Sequence, residues 1–104
     1  MPQSKYTVRI DAAAREKMVN HTRFLARVSV PAAQRLRNAY SSALQSLEIN
    51  PQRCPLYKLD LDIEEELRFL LFSERHRIVF EIVDTTVFVY DVQDVRQKED
   101  KNLV

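Results

Sequence analysis

Apolar residues follow two rhythms along this chain, and each rhythm predicts a different kind of element. Alternation from Lys5 to Ile10 predicts a first strand, because successive side chains of a strand point to opposite faces. Two stretches with apolar spacings of three and four then predict two helices. Alternation returns between Glu66 and Val92, where it predicts three short strands in an up-down-up meander. The pattern therefore predicts the order strand, helix, helix, strand, strand, strand.

The two predicted helices form an αα-hairpin, because only Ser29-Val-Pro31 separates them. Asp11 suits the N-cap of the first helix, and Pro31 suits the first turn of the second, which is predicted to run to about Leu47. The apolar stripe of the first helix consists of Ala14, Met18, His21, Leu25 and Val28, and that of the second of Ala33, Leu36, Tyr40, Ala43, Leu44 and Leu47.

Two prolines end the helical part, and a connector from Leu56 to Glu65 follows. Its apolar residues alternate with acids, so part of it is predicted to lie as an edge strand and to be the least ordered internal segment. In the meander, Ile78, Phe80 and Ile82 are predicted to face the helices, whereas Arg77, Val79 and Glu81 face a partly open side. In the last strand, Phe88, Tyr90 and Val92 are predicted to oppose Val87, Val89 and Asp91.

Length and composition narrow the possible fold classes and the kinds of binding site. The 104 residues predict one α+β domain, 1–104, in which the αα-hairpin packs on a small, mostly antiparallel sheet and a polar tail begins at about residue 97. No apolar run approaches the roughly 18 residues that span a bilayer, and the first residues do not resemble a signal peptide, so we expect a cytoplasmic location and no membrane partner. Glycine is absent, which excludes glycine-rich phosphate loops. One cysteine and two separated histidines predict neither a metal site nor a cofactor.

Charge is divided unevenly between the two halves of the chain. Residues 1–50 carry eight Lys or Arg and three Asp or Glu, whereas residues 51–104 carry eight and twelve. A basic helical half can face nucleic acid or an acidic partner, or it can be the solvated exterior of two helices. Both interpretations stay open at this point.

Several motifs, added to the order of the elements, resemble the RelE/ParE superfamily of bacterial toxins. Ile10-Asp-Ala-Ala-Ala-Arg-Glu resembles its opening strand and Ala- and Arg-rich first helix, and Leu47-Glu-Ile-Asn-Pro51 resembles the end of its second helix. Glu66-Leu-Arg-Phe-Leu and Arg75-His-Arg-Ile-Val-Phe-Glu-Ile82 resemble its Leu-Arg strand and its Tyr-Arg-Ile-Val-Tyr-Glu-Ile motif. The resemblance covers roughly residues 5–97.

The resemblance implies a toxin of a type II toxin–antitoxin pair, as in plasmid stabilisation or bacterial stress response, neutralised by a small antitoxin protein. It leaves two activities open, of which RelE-like mRNA cleavage is the leading expectation and ParE-like inhibition of gyrase is the alternative. RelE-like members are mRNA interferases that cleave mRNA in the ribosome without metal, whereas ParE-like members inhibit DNA gyrase by binding, here through the helical hairpin. A relative that has lost toxicity and only binds its antitoxin is a third alternative.

The same resemblance implies the candidate site. Arg77 matches an arginine that contacts the scissile phosphate in RelE-like nucleases, Arg68 falls where they place a basic residue, and His76 is a candidate acid or base. Arg75 and Arg96 are candidates for substrate binding. Fixed guanidinium groups suit this chemistry because they can stabilise charge that develops on a phosphate.

The residues also permit plainer roles. Arg68, Arg75 and Arg77 are predicted near the turn between the first two meander strands, where Arg77 and Arg68 could simply pair with Glu81 or Glu66. His76 could be a solvated turn residue. As a surface change, Arg77→Ala would then cost within about 0.5 kcal/mol of stability. The family's Tyr and its His-Gly-Arg-Arg element are replaced here by His76 and by Asp94-Val-Arg-Gln97.

Overall fold

The computed structural model describes residues 5–57 and 66–95, and it confirms the predicted order of elements. Strand β1 (Thr7–Ile10) precedes helices α1 (Ala12–Ala26) and α2 (Val30–Ser46), and a short 3-10 helix (Pro51–Arg53) follows them. Strands β2 (Leu67–Phe72), β3 (His76–Val83) and β4 (Thr86–Asp94) form the meander. The four strands make one sheet in the order β1-β4-β3-β2, in which β1 pairs with β4 in parallel and the other neighbours are antiparallel.

Capping side chains fix where the two helices begin. The Asp11 carboxylate accepts a hydrogen bond from the Ala13 amide at 3.0 Å, and the Ser29 hydroxyl accepts one from the Ala32 amide at 3.2 Å. Each helix buries part of its predicted stripe against the sheet, with Met18 and Leu36 among the buried residues. Val28 is the exception, since it follows the end of α1 and is 78% exposed. Its predicted place on the buried stripe was wrong.

The middle of the sheet forms the floor of the core. Ile78 and Phe80 of β3 are fully buried beneath the helices, as predicted, together with Val87 and Val89 of β4. An irregularity in the β3–β4 register lies between Val79 and Phe80, so that Val79 pairs with Asp91 but Phe80 pairs with Val89. Tyr90 is the extra residue in β4, and such a bulge reverses the faces beyond it. Val92 therefore joins the buried face, and its predicted grouping with Phe88 and Tyr90 was wrong.

Turns without glycine use other residues in the left-handed region. Asn50, Ser73 and Asp84 have φ values of 49°, 52° and 54°, and each lies in a turn next to a helix or strand. Asn and Asp tolerate this region better than most residues because their short polar side chains bond locally. Beyond the first of these turns, the Tyr57 amide donates to the Leu67 carbonyl at 2.6 Å, which attaches the connector to the edge of β2. The rest of the predicted edge strand, Leu59 to Ile63, lies outside the described residues.

Candidate functional site

Arg77 lies on the face of the sheet that the helices do not cover. Its Nε donates to Oε1 of Gln93 at 2.7 Å, and its guanidinium carbon lies 4.9 Å from the centre of the Tyr57 ring and 5.8 Å from that of Phe69. Flat cations stack favourably on aromatic faces, so these two rings hold the guanidinium in one orientation. Arg77 is therefore fixed by its neighbours before any ligand arrives.

Polar contacts continue from Arg77 across β4. Gln93 is only 7% exposed, and its Nε2 donates to Oδ2 of Asp91 at 3.0 Å and to the Tyr57 hydroxyl at 3.3 Å. The other oxygen of Asp91 accepts from Nζ of Lys17 at 3.0 Å. The network joins α1, β3, β4 and the connector, and it places a carboxylate close to Arg77. Sequence reasoning missed Tyr57 and Gln93, and no local motif distinguished either of them.

Arg68 lies on the opposite side of the sheet. It pairs with Phe80 in the register, whereas Arg77 pairs with Leu71, and the three-residue offset between Arg77 and Phe80 puts them on opposite faces. Nη1 of Arg68 donates to the carbonyls of Gln52 and Cys54 at 3.2 and 2.7 Å. Arg68 thus fastens the 3-10 turn to the edge of the sheet. Its predicted position near the β2–β3 turn was wrong, because it lies at the start of β2.

His76 is buried, so its interpretation as a solvated turn residue was wrong. It begins β3 and alternates with Ile78 and Phe80, which turns its ring toward the helices. Only 7% of the residue is exposed; its Nδ1 lies 3.0 Å from the Ser73 hydroxyl, and its ring stacks on Phe72. The ring centre is also 5.6 Å from that of His21 on α1.

A cavity of about 320 Å³ opens beside the two histidines. The residues that line it come from α1, α2, the β2–β3 turn, the start of β3 and the end of β4, namely Asn20, His21, Phe24, Leu25, Leu36, Arg75, His76 and Asp94. Nη2 of Arg75 lies 4.0 Å from Oδ2 of Asp94. Nδ1 of His21 is buried and makes no hydrogen bond with the described residues. Burial lowers the pKa of His21, as does Lys17, against the opposing effect of Asp94 and Asp91.

A second depression lies between the two helices. This groove of about 510 Å³ has an apolar floor that includes Met18 and Val19, and its lining also includes Arg15, Arg23 and Arg37. The Tyr40 hydroxyl in the groove is buried without a hydrogen-bond partner among the described residues, and burial raises the pKa of Tyr40.

The structure brings only some of the predicted site residues together. Arg75 and His76 line one cavity, Arg77 lies on the other face, and Arg68 is at the far end of β2. Arg96 lies outside the described residues. Within 5–57 and 66–95 no group of three or more His, Cys, Asp or Glu side chains is placed to hold a metal ion. No helix in these ranges has the length and apolar character needed to cross a membrane.

The chain matches the model of a known protein family. The model of the family described as "ParE toxin of type II toxin-antitoxin system, parDE" matches residues 8–99, which include every helix and strand described above apart from Thr7 at the start of β1. No curated protein matches the chain.

Proposed function

Because the chain belongs to the ParE toxin family of type II toxin–antitoxin systems, we propose that it acts by binding and blocking a protein target. Family membership means that the chain is the toxin component and has a protein antitoxin as its partner. The target that the resemblance implies for ParE-like members is DNA gyrase. The proposal places this chain with those members rather than with the mRNA-cleaving, RelE-like ones.

The separation of Arg68 from Arg77 is the observation that carries this proposal. A nuclease that works without metal needs several donors aimed at one phosphate, since that is how fixed cations stabilise the developing charge. Here Arg68 donates to two backbone carbonyls on the helix side, while Arg77 is held by Gln93 on the open side. His76 is buried on the helix side as well. These residues cannot converge on one phosphate without rebuilding the sheet.

Charge around Arg77 supports the same proposal. Glu81 shares the open face of β3 with Arg77, and Asp91 lies beside Gln93 on β4. Carboxylates at these positions oppose the approach of a phosphate backbone, whose binding depends on neutralisation by clustered cations. The helical hairpin offers the contrasting surface, because its arginines are exposed and the hairpin is basic.

One observation favours mRNA cleavage as a second candidate. The two Nη groups of Arg77 have no partner among the described residues, so they can still donate to a phosphate. This candidate needs a donor set completed by residues other than Arg68 and His76, and the phosphate would have to approach beside two carboxylates.

Induced expression distinguishes the two candidates. Plasmid supercoiling and total mRNA integrity are followed in the same culture after expression of the wild-type chain without its antitoxin. The proposal predicts growth arrest, altered supercoiling and intact mRNA. Fragmented mRNA with unchanged supercoiling would support the nuclease, and Arg77→Ala should then abolish both fragmentation and arrest. Unimpaired growth would point to a relative that only binds its antitoxin.

A further inference from the structure

Three large apolar residues are exposed where α1 ends and α2 begins. Phe24 is 70% exposed, Val28 is 78% exposed and Val30 is 57% exposed. They lie within seven residues, and the Val28 amide donates to the Leu25 carbonyl in the turn that connects the helices. We call Phe24, Arg27, Val28 and Val30 the hairpin tip. Isolated exposed apolar residues are ordinary, but a cluster that includes an aromatic ring marks a site of interaction.

Along the sequence of the hairpin, the charge on either side of the tip has one sign. Between Glu16 and Glu48 the chain contains no Asp or Glu, while Lys17, Arg23, Arg27, Arg35 and Arg37 fall in this interval. Lys17 pairs with Asp91, but no carboxylate among residues 5–57 and 66–95 forms an ion pair with the four arginines. A partner that approaches the tip therefore meets positive charge that nothing on this chain's described surface neutralises.

The tip continues directly into the cavity of about 320 Å³, because Phe24 forms part of its wall. Leu25 and Leu36 also line this cavity. The cavity thus offers an inserted side chain apolar contact with Phe24, Leu25 and Leu36.

We propose that the hairpin tip and this cavity form the surface that docks an acidic segment of the toxin's protein target, one of whose apolar side chains enters the cavity beside Phe24. The inference rests on the proposed function, in which the target is a protein. Beyond that function, the inference names the residues that contact the target and specifies that the contacted segment is acidic.

The arrangement of apolar and charged groups favours a protein over the other anionic partners. Protein interfaces combine a central aromatic anchor with arginines and a polar rim. On the hairpin, Phe24 corresponds to the aromatic anchor, and the exposed arginines correspond to the residues around it. A membrane surface is flat and leaves a side-chain cavity unfilled. An acidic protein segment instead complements the basic hairpin in charge, and its apolar side chains can contact the exposed apolar residues of the tip.

Binding of purified DNA gyrase to the full-length toxin tests this proposal. The test variant is Phe24→Ser with Val28→Ser. The matched control is Ile49→Ser with Leu71→Ser, which removes two apolar side chains that are 51% and 56% exposed elsewhere on the surface. Thermal unfolding establishes that each variant is folded, and binding to the cognate antitoxin is measured alongside. We expect the tip variant to bind gyrase about tenfold or more weakly than the wild type, because hot-spot residues dominate interface affinity, and the control to bind as the wild type does.

Charge reversal provides an independent test of the same proposal. Arg27→Glu should weaken gyrase binding and reduce its dependence on salt, whereas Arg9→Glu, an exposed arginine on β1, should change neither. Equal binding by wild type and tip variant would overturn the inference and leave the proposed function standing. Failure of the wild type to bind gyrase would overturn the proposed function. It would also overturn the assignment of gyrase as the partner of the tip.

Two further outcomes would reassign the tip. If its substitution abolished antitoxin binding while gyrase binding persisted, the occupant would be the antitoxin. If the wild type bound anionic vesicles or a short DNA duplex and the tip variant did not, while gyrase binding was equal, the occupant would be a lipid or nucleic acid surface. Either result contradicts the proposal.

Discussion

Arg77 on the open sheet face and Arg27 on the hairpin tip are both half-exposed or exposed cations, yet their surroundings differ. Arg77 is enclosed by two rings and Gln93, whereas Arg27 has no carboxylate partner among the described residues. A cation that is held by a hydrogen bond and by aromatic rings contributes to stability, whereas one with neither kind of contact among the described residues is available to a partner. Motif matching alone would have chosen Arg77, while its environment gives it a role in the fold.

Arg77→Ala is expected to show the largest effect of the arginine substitutions. It removes the bond to buried Gln93 and the contact with two rings, so we expect a loss of about 1–3 kcal/mol in the free energy of unfolding. This exceeds the sequence-based expectation of about 0.5 kcal/mol for a surface change. Urea denaturation of the wild type, Arg77→Ala, Gln93→Ala and the double variant measures the coupling. Additive losses would show that the two side chains do not stabilise each other, which would remove the contrast with Arg27.

Arg68→Ala tests a cation whose hydrogen bonds within the fold go to backbone carbonyls rather than to a side chain. Loss of two hydrogen bonds to carbonyls should cost about 1–2 kcal/mol, since the Cys54 residue that supplies one of them is buried. Reaction of the Cys54 thiol with an alkylating reagent in native buffer gives a local readout, because release of the turn should make it faster. A rate equal to that of the wild type would mean that Arg68 does not hold this turn.

The pH dependence of stability sharpens the comparison on the helix side. Burial lowers the pKa of His21 below 6.5, so the unfolded chain binds more protons than the folded chain as the pH falls. Stability that is present above about pH 6.5 should therefore decrease as the pH falls below that value. Denaturation at about pH 7.5 and about pH 5.5 measures the difference, and His21→Asn should reduce it. An unchanged slope in His21→Asn would assign the proton uptake to another group.

Arg27→Ala should show the smallest effect on folding. It has no ion pair to lose among the described residues, so the free energy of unfolding should change by no more than about 0.5 kcal/mol. Binding of the protein target should weaken nonetheless, and the ratio of binding loss to stability loss is what separates Arg27 from Arg77. A destabilisation as large as that of Arg77→Ala would erase the distinction between the two regions.

Local rules predicted the order of elements and both helix starts, because Asp11 and Ser29-Val-Pro31 act through contacts within three residues. These rules failed where pairing with a neighbouring strand determines which face a residue occupies. The extra residue at Tyr90 moves Val92 to the buried face, and nothing in the alternation of β4 signals it. His76 was misassigned because β3 begins at that residue rather than after it. The environment of Arg77 depends on Tyr57 and Gln93, which are distant in sequence, so no motif around Arg77 could have revealed it.

The parallel pairing of β1 with β4 also determines when the fold can be completed during synthesis. Thr7 pairs with Thr86 and Ile10 with Val89. Strand β1 therefore leaves the ribosome first but cannot pair until β4 has been synthesised. Translation at roughly 5–20 residues per second makes that wait on the order of several seconds. Until then the buried faces of α1 and α2 lack the floor formed by Val87 and Val89. A nascent toxin of this topology cannot close its sheet before β4 has been synthesised, and chains truncated before β4 should be unable to fold.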